Sequence, residues 1–188
     1  MSDTWDDRFA VMTVDGLTHQ ARQIYYNEKL VNLDLAIVQF TSSKRYQTAK
    51  IKKSNDSLLG QEVYASGFPN WVGLDSGKPE NTRNWGLKAY KVTFGTIESI
   101  TNRPLLLGYQ LGYTNNIENG MSGGPVIDTN GFLVGINGRL KHPFNGISSY
   151  KFNDGSSPSW EEFKKMDTLS WAISYIRFNK IIKNVDFY

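Results

Sequence analysis

One stretch of the sequence governs how the rest is interpreted: Asn119-Gly120-Met121-Ser122-Gly123-Gly124-Pro125-Val126-Ile127. A serine hydroxyl is a poor nucleophile until a base removes its proton and backbone N–H groups hold the oxyanion that forms. The glycines around Ser122 permit backbone conformations that a side chain would forbid, so the N–H groups of Gly120 and Ser122 can converge on one point. The stretch therefore predicts a nucleophilic turn followed by a strand. The alternative is a glycine-rich hairpin that contains a serine by chance.

The motif Gly120-x-Ser122-Gly123-Gly124-Pro125 resembles the nucleophile motif of the trypsin-like serine peptidases, the chymotrypsin superfamily. Downstream, residues 128–138 resemble the strand, turn and second strand that follow the serine in that family. Upstream, Leu33-Asp34-Leu35-Ala36-Ile37-Val38 is similar to its aspartate motif. Residues 60–69 are similar to bacterial members, the cyanobacterial ones included. The resemblance covers most of the chain and implies a hydrolase that cleaves polypeptides.

The resemblance implies a role for each matched residue. Ser122 is the expected nucleophile, which forms an acyl-enzyme while the N–H groups of Gly120 and Ser122 form the oxyanion hole. Asp34 is the expected carboxylate that orients a histidine base. Asn116, six residues before Ser122, takes the position at the base of the primary specificity pocket, and its lack of charge gives no support for a basic substrate preference. The edge that pairs with the substrate backbone is expected at Ile136, Asn137 and Gly138.

The histidine base is the missing part of this assignment. The chain contains two histidines, and the family order places the base before the aspartate. His142 follows Ser122 in a segment with the composition of a loop. His19 precedes Asp34 and is the remaining candidate for the base, but it lacks the family's histidine motif. We therefore expect the strand that carries the base to lie upstream of Met1, and an enzyme that lacks one triad member loses most of its catalytic power.

Composition argues against several other classes of protein. The 188 residues are 39% hydrophobic and 21% charged and include no cysteine, which indicates an ordinary globular protein without disulfides. The net charge of +3 is scattered along the chain, so nucleic acid is not an expected partner. Two separated histidines do not make a metal-ligand set, and no cofactor is implied. The acidic segment 1–7 is unlike a signal peptide and no apolar run approaches membrane-spanning length, which leaves the localisation undetermined.

Many short strands separated by Gly, Asn and Pro predict an all-β fold, and the resemblance implies a trypsin-like double Greek-key β-barrel whose first barrel is incomplete. Residues 1–55 are predicted to form the partial first barrel and a linker. Residues 56–188 are predicted to form the second barrel with a short C-terminal helix, so that both parts make one peptidase-like domain. Residues 87–94, 95–100 and 105–113 are predicted to form three strands. Ser159-x-x-Glu162 predicts a capping box for one helical turn, and Tyr175, Phe178 and Ile181 repeat at helical spacing.

An incomplete barrel leaves strand edges unpaired, and the sequence is compatible with three arrangements. The first sheet lies open against the second barrel, or another chain supplies the missing strands, or the chain is part of a longer protein with further N-terminal strands or domains.

Two functions from different classes remain open. One is a serine-type endopeptidase that acts through Ser122 and Asp34 and is inactive or truncated as this chain stands, because no histidine occupies the base motif. The other is a non-catalytic pseudo-peptidase whose substrate groove binds peptides. A carbohydrate- or protein-binding β-sandwich is a third alternative, which would require that Trp71, Trp85 or Trp160 is exposed and lines one face.

Overall fold

The computed structural model describes residues 9–26, 33–52, 57–74 and 77–183. The acidic segment 1–7 lies outside the described residues, as do residues 53–56 at the predicted domain boundary. In chain order, the described strands and helices are β1 (Phe9–Met12), β2 (Thr18–Tyr26), β3 (Ala36–Phe40), β4 (Lys50–Ile51), β5 (Glu62–Gly67), β6 (Trp71–Val72), β7 (Glu80–Asn81), β8 (Lys91–Ile100), β9 (Leu111–Tyr113), β10 (Pro125–Asp128), β11 (Phe132–Arg139), α1 (Trp160–Asp167), β12 (Ser170–Ser174) and α2 (Tyr175–Ile182). None of the helices in these ranges is long and apolar enough to cross a lipid bilayer.

Strands β1, β2 and β3 form an open antiparallel sheet in chain order. The Asp15-Gly16 turn joins β1 to β2, with Gly16 at φ +79° and the Thr13 N–H donating to the Leu17 carbonyl at 2.9 Å. Few apolar side chains of this sheet are covered: Ala21 is buried, whereas Met12 is 50% exposed. The sheet therefore contributes little of the hydrophobic core.

Six strands in the order β10-β5-β8-β9-β12-β11 form a closed antiparallel barrel, because β10 pairs with β5 on one side and with β11 on the other. Closure removes the unpaired edges that an open sheet would present. Alternate side chains of these strands point inward and make the core, whose fully buried members include Val63, Ile97, Leu111, Val126, Val134 and Trp171. The predicted all-β fold, with one complete barrel and one incomplete sheet, is confirmed.

Two strand predictions need correction. Residues 87–94 and 95–100, predicted as two strands, instead form the single strand β8 after a 3-10 turn at Gly86–Ala89. Gly95 is needed there for close packing and not for a turn, since a Cβ would lie 2.5 Å from Asn115 Oδ1. The strand predicted over residues 105–113 is reduced to β9, because Leu107 adopts a left-handed conformation (φ +69°).

The end of the predicted linker is fixed to the barrel. Strand β4 adds to β11 in parallel, and the Lys52 N–H that follows it donates to the Leu133 carbonyl at 3.1 Å. The buried Lys52 ammonium lies 3.1 Å from Asp128 Oδ2, and Asn179 of α2 donates to the Lys52 carbonyl at 3.2 Å. Residues 50–52 therefore belong to the barrel side of the molecule.

The C-terminal predictions agree with the structure. Ser159 and Glu162 form both hydrogen bonds of a capping box at the start of α1, which is longer than the single turn expected. Strand β12 passes directly into α2, where the Ser174 side chain caps the helix and Tyr175 and Phe178 are buried against the barrel.

Candidate active site

Ser122 lies in the loop between β9 and β10, on two consecutive tight turns. The Met121 N–H donates to the Glu118 carbonyl at 3.0 Å, and the Gly124 N–H donates to the Met121 carbonyl at 3.1 Å. The Met121 side chain is fully buried, which anchors the loop in the core. Because its neighbour is anchored in this way, Ser122 itself is held at the exposed surface of the barrel.

The peptide bond between Asn119 and Gly120 is held in one orientation by Asn70, whose N–H donates to the Asn119 carbonyl at 2.7 Å. A trans peptide points its N–H away from its carbonyl, so this bond also fixes the direction of the Gly120 N–H. Gly120 has φ +100°, and a Cβ there would lie 2.5 Å from the Phe68 carbonyl oxygen. Across the described ranges, the N–H groups of Gly120 and Ser122 have no acceptor, which leaves two donors available to an oxyanion.

The Ser122 hydroxyl donates to the Gly138 carbonyl at 3.2 Å. Gly138 lies at a β-bulge, because the pairing of β11 with β12 shifts register between Asn137 and Arg139. In the part of the chain that the structure describes, no titratable side chain is hydrogen-bonded to the Ser122 Oγ atom. The Ser122 hydroxyl therefore donates its hydrogen bond to a carbonyl oxygen and not to a base.

Asp34 stands just before β3 and is fastened to the barrel by two hydrogen bonds. Its N–H donates to the Leu107 carbonyl at 2.9 Å, and its Oδ2 accepts a hydrogen bond from the Tyr109 hydroxyl at 2.5 Å. Burial raises the pKa of Tyr109, and the hydrogen bond to Asp34 raises it further. Tyr109 is therefore a neutral donor at physiological pH, and it holds the Asp34 carboxylate in one orientation.

Tyr109 also contacts the strand that carries the acceptor of Ser122. A Cβ on Gly138 would overlap the ring of Tyr109, so the ring lies directly against the Gly138 backbone. The Arg139 guanidinium lies 5.0 Å from the centroid of the same ring, and it donates to the carbonyl oxygens of Ser149 (2.8 Å) and Leu106 (3.2 Å). Burial lowers the pKa of Arg139. Tyr109 thus joins the Asp34 side of the site to the Ser122 side, and the sequence offers no motif that identifies it.

The three residues expected to form the substrate edge have different environments in the structure. Asn137 is buried: its side chain donates to the Ser66 carbonyl at 3.0 Å and accepts from the Tyr113 hydroxyl at 2.7 Å. Ile136 is paired in the barrel on both sides, with β10 and with β12. Of the three expected positions, Gly138 is therefore the one that reaches Ser122.

A cavity of about 630 Å³ lies beside the nucleophile loop on the Gly138 side. Burial raises the pKa of Tyr150, which lines it, to about 12. Asn116 is exposed, and it is Asn119 that contributes to the cavity wall from this loop. The other lining residues include Arg139, Leu140, His142, Phe144 and Ser149.

Neither histidine joins Asp34 to Ser122. His19 in β2 has its Nε2 atom 3.2 Å from the Tyr46 hydroxyl, and its ring centroid is 5.0 Å from that of Phe40. Phe40 is six residues beyond Asp34 along an extended segment, a separation of roughly 20 Å. His142 instead bonds Asp167 through Nδ1 at 2.8 Å and lines the cavity on the Gly138 side.

A metal site is not seen in the described ranges, which contain no group of three or more His, Cys, Asp or Glu side chains able to hold an ion. The chemistry available at the site is therefore that of a hydroxyl, two backbone donors and a carboxylate.

Two comparisons with known proteins bear on this arrangement. A sequence model of the trypsin-like peptidase domain matches residues 2–136, a range that includes both Asp34 and Ser122. Protease Do-like 1, chloroplastic, of Arabidopsis thaliana is 26% identical over 185 residues, which cover 93% of this chain and 35% of that protein. The chain therefore spans about a third of the length of this relative.

Proposed function

The chain belongs to the family of trypsin-like peptidase domains, and on that basis we propose that it is the catalytic unit of a serine-type endopeptidase with Ser122 as the nucleophile. The observation that carries the proposal is the pairing of an exposed serine hydroxyl with two N–H groups, those of Gly120 and Ser122, that have no acceptor in the described chain. Such donors stabilise the oxyanion of acyl transfer, which is the largest electrostatic contribution in this class of reaction.

The proposed reaction proceeds in two halves. Ser122 Oγ attacks the carbonyl carbon of a peptide bond while its proton passes to a base, and the carbonyl oxygen becomes an anion held by the Gly120 and Ser122 N–H groups. The C–N bond then breaks, the leaving amine takes the proton from the base, and an ester to Ser122 remains. A water molecule hydrolyses this ester by the same steps and releases the acid.

Asp34 is proposed to orient the base. Tyr109 occupies its Oδ2 atom, so Oδ1 is the oxygen that would accept a hydrogen bond from an imidazole N–H. His19 and His142 both have other partners in the structure, and we propose that the base comes from outside the described residues or from outside this chain. The chain by itself is then expected to be inactive or very slow.

Residues 1–55 and 56–188 are proposed to act as one peptidase-like unit. The support is the junction at Asp34, which belongs to the first part by sequence and is held by Leu107 and Tyr109 of the second. A polypeptide is the proposed substrate, with the Gly138 edge as the place where its backbone pairs. We also propose that the chain is most similar to bacterial members of the family, a point on which a plant relative gives no information.

A non-catalytic peptide-binding module is the second candidate. One observation favours it: the Ser122 hydroxyl donates to the Gly138 carbonyl, and neither histidine is hydrogen-bonded to it. The same groove would then bind peptides without cleaving them.

Labelling with a fluorophosphonate in the presence of free imidazole distinguishes the two candidates. The reagent phosphonylates an activated serine, and free imidazole can take the place of the proposed base. We expect one adduct by intact mass, formed at a rate that rises with imidazole concentration, and none on Ser122→Ala. The exposed Ser148 gives the matched control, since Ser148→Ala should label like the wild type.

An absence of labelling at every imidazole concentration, in a chain with the far-ultraviolet circular dichroism of a β-protein, would favour the peptide-binding module. Labelling that is lost in His19→Ala would instead identify His19 as the base.

A further inference from the structure

We infer that a carboxylate-binding subsite formed by Arg83, Asn81 and Asn70 lies on the leaving-group side of Ser122. This inference rests on the peptidase function proposed above. The ligand is the carboxylate of a peptide segment that follows the bond to be cleaved.

Two adjoining cavities mark the place of the subsite. The short strands β6 and β7 pair with each other, and a cavity of about 350 Å³ is lined by Asn70, Trp71, Asn81 and Arg83. A second cavity of about 410 Å³ shares Asn70 and Arg83 with the first and extends towards Met12 of β1. Together these cavities form a concave surface with Asn70 and Arg83 at its centre.

This surface is joined directly to the nucleophile loop. The Asn70 N–H donates to the Asn119 carbonyl, and the Asn70 side-chain oxygen would lie 2.6 Å from a Cβ on Gly120. The subsite therefore begins beside Gly120, the first residue of the proposed oxyanion hole, two residues before Ser122 in the chain.

The position of Ser122 decides which part of a substrate reaches this surface. The acyl part of the substrate is proposed to lie along the Gly138 edge, where the Ser122 hydroxyl is bonded and where the 630 Å³ cavity opens. A peptide that continues beyond its scissile carbonyl must leave the nucleophile on the other flank, which is the flank of Gly120 and Asn70. The residues that follow the scissile bond therefore approach Arg83.

The charge of Arg83 has no acidic partner among the described residues. Arg83 is exposed, and its guanidinium forms neither an ion pair nor a hydrogen bond with any residue in the ranges described. Glu80 is one residue from Asn81 on β7, so its side chain projects to the opposite face of that strand. Glu118, the acid of the nucleophile loop, is already paired with Lys91. An anion at this surface would therefore meet an uncompensated cation.

The side-chain amide of Asn81 adds a hydrogen-bond donor beside the Arg83 guanidinium. The backbone N–H of Arg83 donates to Asn81 Oδ1 at 2.9 Å, which leaves the amide NH₂ of Asn81 available to donate to a ligand. A planar guanidinium binds a carboxylate through two parallel hydrogen bonds, and neighbouring amide donors complete the shell of an anion. The chemistry of this surface is therefore that of a carboxylate receptor, with the Trp71 indole as its apolar wall.

Equilibrium binding of short peptides to the full chain tests the inference. The peptides are Ala-Ala-Glu-amide, Ala-Ala-Gln-amide, and Ala-Ala-Ala as the free acid and as the amide, followed by tryptophan fluorescence at low salt. We expect the Glu peptide to bind about twofold to fivefold more tightly than the Gln peptide, because a charge-assisted pair replaces a neutral hydrogen bond at an exposed site. The free-acid and amide pair shows whether a terminal carboxylate serves as well as a side chain.

Matched variants assign the selectivity. Arg83→Gln should abolish the preference for Glu, whereas Arg45→Gln, a change at another exposed arginine without an ion pair in the described chain, should leave it unchanged. Amide chemical-shift changes at Asn81 and Arg83 should accompany binding to the wild type. Equal affinity for the Glu and Gln peptides, or a preference that survives in Arg83→Gln, would overturn the inference.

The two proposals fail in distinguishable ways. Carboxylate selectivity without imidazole-dependent labelling of Ser122 would leave the subsite in place on a chain that binds peptides but does not cleave them. Labelling of Ser122 without carboxylate selectivity would support the peptidase and remove the subsite.

Discussion

The open sheet of β1–β3 and the closed barrel of β5 and β8–β12 each carry one half of the candidate site. The barrel has a buried hydrophobic core, whereas most apolar side chains of the sheet are partly exposed. The barrel positions Ser122 on a loop anchored by a fully buried methionine, Met121. Asp34 stands just before β3 of the sheet, a strand in which Val38 is 42% exposed. A nucleophile on the barrel therefore depends on the core beneath it, whereas the carboxylate depends on the bonds that cross between the two regions.

The difference shows where precision at the site originates. Asp34 has little of its own sheet to hold it, yet its backbone and carboxylate both bond to the barrel, through Leu107 and Tyr109. The position of the carboxylate is thus determined by the barrel. Variants in each region should separate the stability of the fold from the geometry of the site.

Leucine truncations in the two regions should differ most. Leu111 is fully buried in β9, so Leu111→Ala should lower the free energy of unfolding by about 2–5 kcal/mol through lost burial and an unfilled cavity. Leu17, which is 45% exposed beside β2, is the matched control, and Leu17→Ala should cost less than about 0.5 kcal/mol. Urea unfolding followed by tryptophan fluorescence measures both. Equal losses would contradict a core that is concentrated in the barrel.

Adding one methyl group at Gly138 should disturb the contact between the two halves of the site. A side chain there would collide with the Tyr109 ring, so Gly138→Ala should cost about 1–3 kcal/mol and slow imidazole-dependent labelling of Ser122. Gly131 has a positive φ but open space around it, and Gly131→Ala should cost about 1 kcal/mol without an effect on labelling. Labelling that is unchanged in Gly138→Ala would mean that Tyr109 does not influence the serine.

Removing the Tyr109 hydroxyl should loosen Asp34 with only a small effect on the fold. Tyr109→Phe keeps the ring and deletes the donor to the exposed carboxylate, so we expect a loss of about 1 kcal/mol. Tyr64→Phe on the outer face of β5 is the control and should be neutral, since the Tyr64 hydroxyl has no partner in the described ranges. A double-mutant cycle with Asp34→Asn measures the coupling, and a coupling near zero would contradict the bond.

The pH dependence of stability should differ between the sheet and the barrel. These changes in stability should be the smallest of those predicted here. The hydrogen bond from Lys44 holds the pKa of Asp15 in the sheet below its ordinary value of 3.8, so its contribution is present above that pH and is lost as the pH falls. Burial raises the pKa of Tyr150 in the barrel from 10.0 to about 12, so its contribution is complete below pH 10 and is lost as the pH rises through 12.

Urea midpoints measured across the pH range test both directions. Asp15→Asn should flatten the acid side of the profile, and Tyr150→Phe should flatten the alkaline side. An alkaline decline that is unchanged in Tyr150→Phe would assign it to the other buried tyrosines.

Local sequence was sufficient for features whose cause is local. The Ser122 turn requires glycines within two residues of the serine, and the start of α1 requires two side chains three residues apart, at Ser159 and Glu162. Such patterns state their own geometry, and the structure has the turn and the helix cap at the predicted places.

Features that depend on contacts between residues far apart in the chain could not be predicted from local sequence. Gly95 was predicted to begin a new strand, but it lies inside β8, and the reason for the glycine is the close approach of Asn115 from another segment. The hydrogen bond between Tyr109 and Asp34 joins residues 75 positions apart, and the sequence around neither residue predicts it. The use of Asn137 inside the barrel likewise follows from Tyr113 and Ser66, which the chain brings together only on folding.

Because β4 is attached to the barrel, two hydrogen bonds are enough to hold Asp34 against the barrel. Residues 41–49 connect β3 to β4, so a chain with a contour length of roughly 30 Å ties the sheet to the barrel even when every other contact between them opens. Partners on so short a tether meet at an effective concentration of about millimolar or higher. Two hydrogen bonds that would be far too weak to join separate molecules are therefore enough to return the carboxylate to its place each time it leaves.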